Sequence, residues 1–273
     1  MIPKSQRRLS ATQYETSFLT VYNHMRELML ALPKRRQKSI ANPIMEAMNE
    51  AYQAIMDIAE KPVRGRKDMA QVRYDAIVRA QQVILKIQKP LYVYWVICDK
   101  SRTTQRTHLC QQFDYVLSLL HGIQCKSTVY NPETDAGVMR LVYFTNDEIN
   151  KAEFLSKIRD LLIYTHDKVT RMPKTWRDAD GDLLEKFVAD AFFHAVFGNK
   201  CHPDQDKEQA EIRRKNFSAA LTALKAMNRP MISCFAGLGL SERELLEWSD
   251  LLVDSIKLLS AVMASDKGRR KET

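Results

Sequence analysis

The sequence predicts an all-α protein made of two tandem up-down four-helix bundles joined by a short extended or hairpin-like connector. Three observations carry that expectation. Apolar residues recur at steps of three and four along most of the chain, the spacing of one helix face. Glycine and proline are scarce, eight and nine among 273 residues, which suits long helices and few turns. The chain also repeats itself: Ile44, Ala47, Met48, Ala51, Tyr52, Ile55 and Met56 are matched 140 positions later by Leu184, Phe187, Val188, Ala191, Phe192, Ala195 and Val196. The same offset pairs Pro33-Lys34 with Pro173-Lys174, Arg73 with Arg213, Lys89-Pro90 with Arg229-Pro230, and Ser101 with Ser241. Prolines do not follow helical periodicity, so their agreement indicates a repeated unit.

The expected boundaries are a basic arm over 1–12, a first bundle over 13–124, a connector over 125–147, a second bundle over 148–264 and a basic tail over 265–273. In the first bundle, helix 1 carries Phe18, Val21, Tyr22, Met25, Leu28, Met29 and Leu32 inward and stops before Pro33. A basic connection over 34–42 follows, with Asn42 capping helix 2 and Pro43 in its first turn. Helix 2 runs to Glu60, where a second basic turn, Lys61 to Lys67, contains Pro62 and Gly65. Helix 3 buries Val72, Ala76, Ile77, Ala80, Val83, Ile84 and Ile87. Residues 91–98 suit a strand or a helix kinked at Pro90, and the kinked helix is favoured because the second copy reads Met231 to Gly237, with Gly237 as its C-cap. Ser101 caps helix 4, whose inner face holds Phe113, Val116, Leu119, Leu120 and Ile123.

The second bundle repeats this scheme with helices over about 147–172, 178–198, 203–237 and 241–264. Ser241 and Glu244 form a capping box at the start of the last one.

Charge separates the copies. Residues 1–124 hold 19 Lys and Arg against 10 Asp and Glu, whereas residues 125–273 hold 23 of each. The whole net charge of +9 therefore sits in the first copy. Its two turns present Lys34, Arg35, Arg36, Lys38, Arg64, Arg66 and Lys67 where the second copy has Lys174, Thr175, Trp176, Asp178, Asp204, Asp206 and Lys207. Cations at helix ends suit phosphate contacts, which bind without sequence preference and weaken with salt. Arg73 and Lys89, with Lys267, Arg269, Arg270 and Lys271 of the tail, complete the candidate nucleic-acid-binding set. The alternatives are a solvated charged surface and an adaptor for an acidic protein.

Other chemistry is sparse. Arg102 with His108, and Arg159 with His166, have the spacing of helical-bundle ribonucleases of the HEPN class, in which histidine moves protons and arginine steadies phosphate charge. Neither pair recurs at the repeat offset, so no catalytic residue is expected. Cys201-His202 lacks a second ligand pair, so no metal or cofactor is expected either. His24, His121 and His194 read as edge or core histidines on amphipathic helices. Tyr92, Tyr94 and Trp95 could stack on bases, but read better as core beside a kink. Five cysteines without framework spacing suit a reducing compartment, and the longest apolar run, Leu91 to Cys98, is too short to span a bilayer. A cytoplasmic protein without membrane contact is expected.

Leu32-Pro33-Lys34-Arg35, the Arg73 to Ile87 helix, Lys89-Pro90 and Ser101 onward resemble the four-helix-bundle family of accessory variability determinant (Avd) proteins of diversity-generating retroelements and proteins encoded in ribosomal RNA intervening sequences. Met172-Pro173-Lys174, Arg213 to Met227, Arg229-Pro230 and Leu238 to Glu242 carry the likeness a second time. The resemblance implies a non-enzymatic partner of a reverse transcriptase that binds template RNA or cDNA and assembles as a homo-oligomer or ring of bundles. Family members are single bundles, whereas this chain is double.

Overall fold

The computed structural model describes residues 13–60, 67–98, 103–135, 137–202, 206–238 and 241–272. The expected N-terminal arm, the Arg64 and Arg66 turn and the Ser101 cap lie outside these residues. The described chain is all-α, with no strand among its residues. It divides into two compact units, Met1–Tyr143 and Phe144–Thr273.

The first unit holds α1 (Gln13–Leu30), a short α2 (Lys34–Arg36), a π-helical turn (Gln37–Ala41), α3 (Asn42–Glu60), α4 (Lys67–Lys86), α5 (Gln88–Ile97) and α6 (Thr103–Gln124). The second holds α7 (Asn146–Lys151), α8 (Glu153–Arg171), α9 (Lys174–Trp176), a π-helical turn (Arg177–Gly181), α10 (Asp182–Lys200), α11 (Lys207–Ala226), α12 (Asn228–Leu238) and α13 (Glu242–Glu272). From α2 to the start of α5, the elements recur at the 140-residue offset, π turns included. In the first unit α1, α3, α4 and α6 pack in a closed cycle, each against two others; α8, α10, α11 and α13 do the same in the second.

The basic connection over 34–42 is a correction: it is helical. Pro33 starts α2 from an extended conformation, and the π turn runs without a break into α3, so Asn42 has helical angles and is no cap. The turn widens the helix by one residue where Ala41, or Gly181 in the second unit, is buried. Small size is required there: a Cβ on Gly181 would stand 2.9 Å from Val169 Cγ1.

Residues 91–97 are helical, as favoured. The break falls at Ile87, between α4 and α5, and Pro90 sits in the first turn of α5, where its missing N–H costs little. Leu91, Tyr92, Tyr94 and Trp95 are buried. Tyr52, Val72 and Gly237 depart from expectation. Tyr52 is exposed and stacks against Tyr22 at 5.8 Å, Val72 is exposed, and Gly237 lies inside α12. Ala54 and Ile58 fill the α3 face instead.

Two offsets coexist. The core of the last helices aligns at 139: Leu109, Phe113, Val116 and Leu120 correspond to Trp248, Leu252, Ser255 and Leu259, all buried. The offset therefore shortens by one residue between α12 and α13; Ser101, which the 140 offset pairs with Ser241, lies outside the described residues. The capping box is present: Glu244 N donates to Ser241 Oγ at 3.3 Å, and Ser241 N to Glu244 Oε2 at 3.1 Å. The expected 265–273 tail is helical as far as Glu272.

No hairpin forms among the described residues of 125–147. Pro132–Thr134 makes one 3-10 turn, Gly137 takes a positive φ of 74°, and the chain then runs extended across the first unit as a strap. Side chains satisfy its backbone. Leu141 N donates to Asp114 Oδ1 at 2.8 Å and Val142 N to Gln88 Oε1 at 3.1 Å, while the Val142 carbonyl accepts from Gln88 Nε2 and Tyr92 Oη at 3.0 and 2.5 Å. Burial pushes the Asp114 carboxyl above its usual range, opposed by the Leu141 N–H and Arg140. The unit boundary thus falls inside the expected connector. Phe144 begins the second unit, edge-on to Phe192 at 5.4 Å.

Candidate nucleic-acid interface

The cations expected to meet phosphate fall at separate places on the first unit. Lys34 and Lys38 are exposed on α2 and the π turn. Arg36 is turned inward: its Nη1 donates to the Ile97 carbonyl at 3.2 Å and lies 3.6 Å from Cys98 Sγ, tying the turn to the end of α5. The Arg35 side chain lies outside the described residues, as does that of Lys67, the first residue of α4.

α3 runs from Asn42 to Glu60, 19 residues, or about 28 Å at 1.5 Å each. The expected second basic turn, 61–66, follows Glu60 and lies outside the described residues.

Arg73 has a structural position. Its Nη1 donates to the Ile58 carbonyl at 3.0 Å, satisfying an end carbonyl of α3. Arg213 repeats the arrangement at the 140 offset, donating to the Gly198 carbonyl at 3.2 Å, and is ion-paired with Asp266 at 2.7 Å. The retention of this arginine in both copies thus reflects helix-end chemistry. Lys89 is half-buried in the first turn of α5. Lys267, Arg269, Arg270 and Lys271 lie on the final turns of α13, with side chains outside the described residues.

With the boundary after Tyr143, the first unit holds 21 Lys and Arg against 12 Asp and Glu, and the second 21 of each. The asymmetry is local as well as global. In the second π turn Asp180 Oδ2 accepts from Ser233 Oγ at 2.9 Å, and Asp178 is exposed, where the first turn carries Ile40 and Lys38.

The ribonuclease pairing on α8 is not assembled. Arg159 bonds Asn150, Ser156 and Asp160, whereas buried His166 meets Glu185 through Nδ1 at 2.6 Å. His108 lies on α6 and contacts Gln112; Arg102 is outside the described residues. Cys201 is buried and His202 exposed. His24 and His194 contact Gln112 and Asn216.

One cluster escaped the sequence reading. His121 and Cys125, four residues apart at the end of α6, meet Asp135 from beyond the 3-10 turn, with ligating atoms all within 4.8 Å of one another. The His-x-x-x-Cys spacing on a helix was the legible signal; the aspartate was not, because a loop delivers it.

Comparison of the chain with protein-family models, with curated proteins and with solved structures returned no match.

Proposed function

We propose that the chain is a non-enzymatic, nucleic-acid-binding accessory protein, made of two up-down four-helix bundles that arose by tandem duplication. The first bundle grips template RNA or cDNA through the Lys34–Lys38 end, and the second scaffolds a reverse transcriptase. The observation that carries the reading is the confinement of all nine net positive charges to one of two units that share their element order. A shared core with divergent charge suits one unit for polyanion and the other for protein. The closed cycles of four helices support the bundle description, and the fixed offset supports duplication. The reverse transcriptase and the oligomeric ring rest on the resemblance to the Avd-like family, and the cytoplasmic setting on five cysteines without framework spacing.

The test is salt-dependent anisotropy of labelled structured RNA with the full chain. Lys34→Glu with Lys38→Glu, which leaves Arg36 on its carbonyl, should weaken binding at least about tenfold and reduce the salt slope by roughly 2. Unchanged affinity and slope overturn the assignment of this end.

A second reading, a protein-protein adaptor without nucleic-acid binding, is favoured by one observation. Ile232 and Val253, which take the places of the strap-binding Tyr92 and Asp114, are 57% and 43% exposed. Absence of RNA binding by the wild-type chain selects this reading.

A further inference from the structure

We propose that His121, Cys125 and Asp135 form a binding site for a zinc-type divalent cation on the first unit. His121 Nε2 lies 3.4 Å from Cys125 Sγ and 3.4 Å from Asp135 Oδ2. Ligands about 2.0–2.3 Å from a tetrahedral zinc ion stand roughly 3.3–3.6 Å apart, so both separations are already those of tetrahedron edges. One thiolate, one imidazole and one carboxylate are the ligand types zinc takes, and three protein ligands leave the fourth position to water.

The geometry argues against the obvious rival, a cysteine nucleophile activated by a histidine-aspartate relay. A relay needs the thiol on one ring nitrogen and the carboxylate on the other. Here both converge on Nε2, and Nδ1 is buried without a partner. Three donor atoms of ligand type within 4.8 Å of one another instead describe a coordination site. Metal binding would displace the Cys125 thiol proton to solvent and replace the His121–Asp135 contact by two bonds to the ion.

The surroundings also fit. His121 and Asp135 side chains are only 14% and 13% exposed, whereas Cys125 is exposed, leaving a route of entry. Tyr130 Oη donates to Asp135 Oδ2 at 2.8 Å and orients the carboxylate from outside the ligand set. Asn131 Oδ1 accepts from Glu133 N at 3.0 Å, pinning the turn that delivers Asp135. At the 139 offset the second unit has Ser260 and Ala264 in place of His121 and Cys125, so the site belongs to the first unit alone.

The experiment is cobalt(II) titration of the reduced, chelator-treated full chain, followed by absorbance and by alkylation of Cys125. One equivalent should bind with a thiolate-to-cobalt charge-transfer band and slow iodoacetamide labelling of Cys125. Zinc should displace the cobalt and remove the band. Cys125→Ser should abolish the band and His121→Asn should prevent saturation, each with an unchanged circular dichroism spectrum. Tyr130→Phe should weaken binding by roughly tenfold, as loss of an orienting outer partner does. A band that survives in Cys125→Ser, or a wild-type chain that binds no cobalt saturably, overturns the site.

Discussion

The two units use one backbone plan to make different surfaces. In the first, the strap covers α5 and α6 through Gln88, Tyr92 and Asp114. In the second, Asn228, Ile232 and Val253 stand at those places, all exposed. The strap in the first unit is bound by side chains with no equivalent in the second, so docking depends on three residues and not on the fold. The interior shows the opposite behaviour, in which differences compensate. Ile58 and Ile77 are buried in the first unit, whereas Gly198 and Phe217 occupy the same positions in the second. A Cβ on Gly198 would lie 2.6 Å from the Phe217 ring, so the phenyl fills the room the glycine leaves. One large ring beside a glycine thus replaces two branched side chains, an exchange of shape within one packing site.

The strongest challenge to that equivalence is Gly198→Ile, which should cost about 3 kcal/mol or more through overpacking. Adding Phe217→Ile, which recreates the pair of the first unit, should restore most of the loss in urea unfolding. Failure of the double variant to recover would show that the two cores are not interchangeable.

Next in size is Gln88→Leu, which removes the acceptor of the Val142 N–H and one of the two donors to its carbonyl, leaving Tyr92 Oη, and should cost about 1–3 kcal/mol. Hydrogen exchange at the Val142 amide should accelerate, with little change at α10 amides. Equal protection in wild type and variant would mean that the strap is held by apolar contact alone, through buried Leu141.

Arg73→Met should cost about 1 kcal/mol by removing the Ile58 carbonyl's donor, with fraying confined to the end of α3. Its equivalent, Arg213→Met, removes the donor to the Gly198 carbonyl, the Asp266 ion pair and the guanidinium 4.5 Å from the Phe217 centroid, and should cost about 2 kcal/mol or more. An unchanged thermal midpoint in either variant would remove these arginines from the account of helix-end stability.

The smallest effect concerns Glu244, whose carboxyl is lowered to about 2 by Lys168, 2.5 Å away, and by Ser241. A folded pKa below the unfolded value gives stability that is present above the ordinary glutamate value of 4.5 and lost as pH falls through about 2. The Ser241 amide resonance should therefore shift only below pH 4, and the shift should be absent in Glu244→Gln.

Helix identity and most inner faces were legible because burial imposes a period on the residues themselves, as with Phe18, Val21, Met25 and Met29 of α1. Chain breaks marked by proline were legible too. The π turn was not, because Gln37 to Ala41 contains no residue that excludes helix or demands it. The 139 offset was hidden by the serines at 101 and 241, whose chance pairing outweighed the burial of Trp248. The strap was illegible for another reason: Leu141 and Val142 find their partners 27 and 54 residues away, and such side-chain bonds leave no local pattern. Of the candidate cations, exposed Lys34 and Lys38 are where a basic run suggests, but the inward course of Arg36 and Arg73 depends on carbonyls that only the folded chain places.

The paired π turns have a geometric consequence. One extra residue per turn advances everything before it by about 100° around the helix axis. Each turn is thus a phase shifter. The apolar stripe of α3 can face inward while the preceding segment is aimed separately, with Lys38 exposed in one copy and Asp180 accepting from Ser233 in the other. The same backbone joint lets Lys38 of one copy and Asp178 of the other be exchanged at its exposed rim.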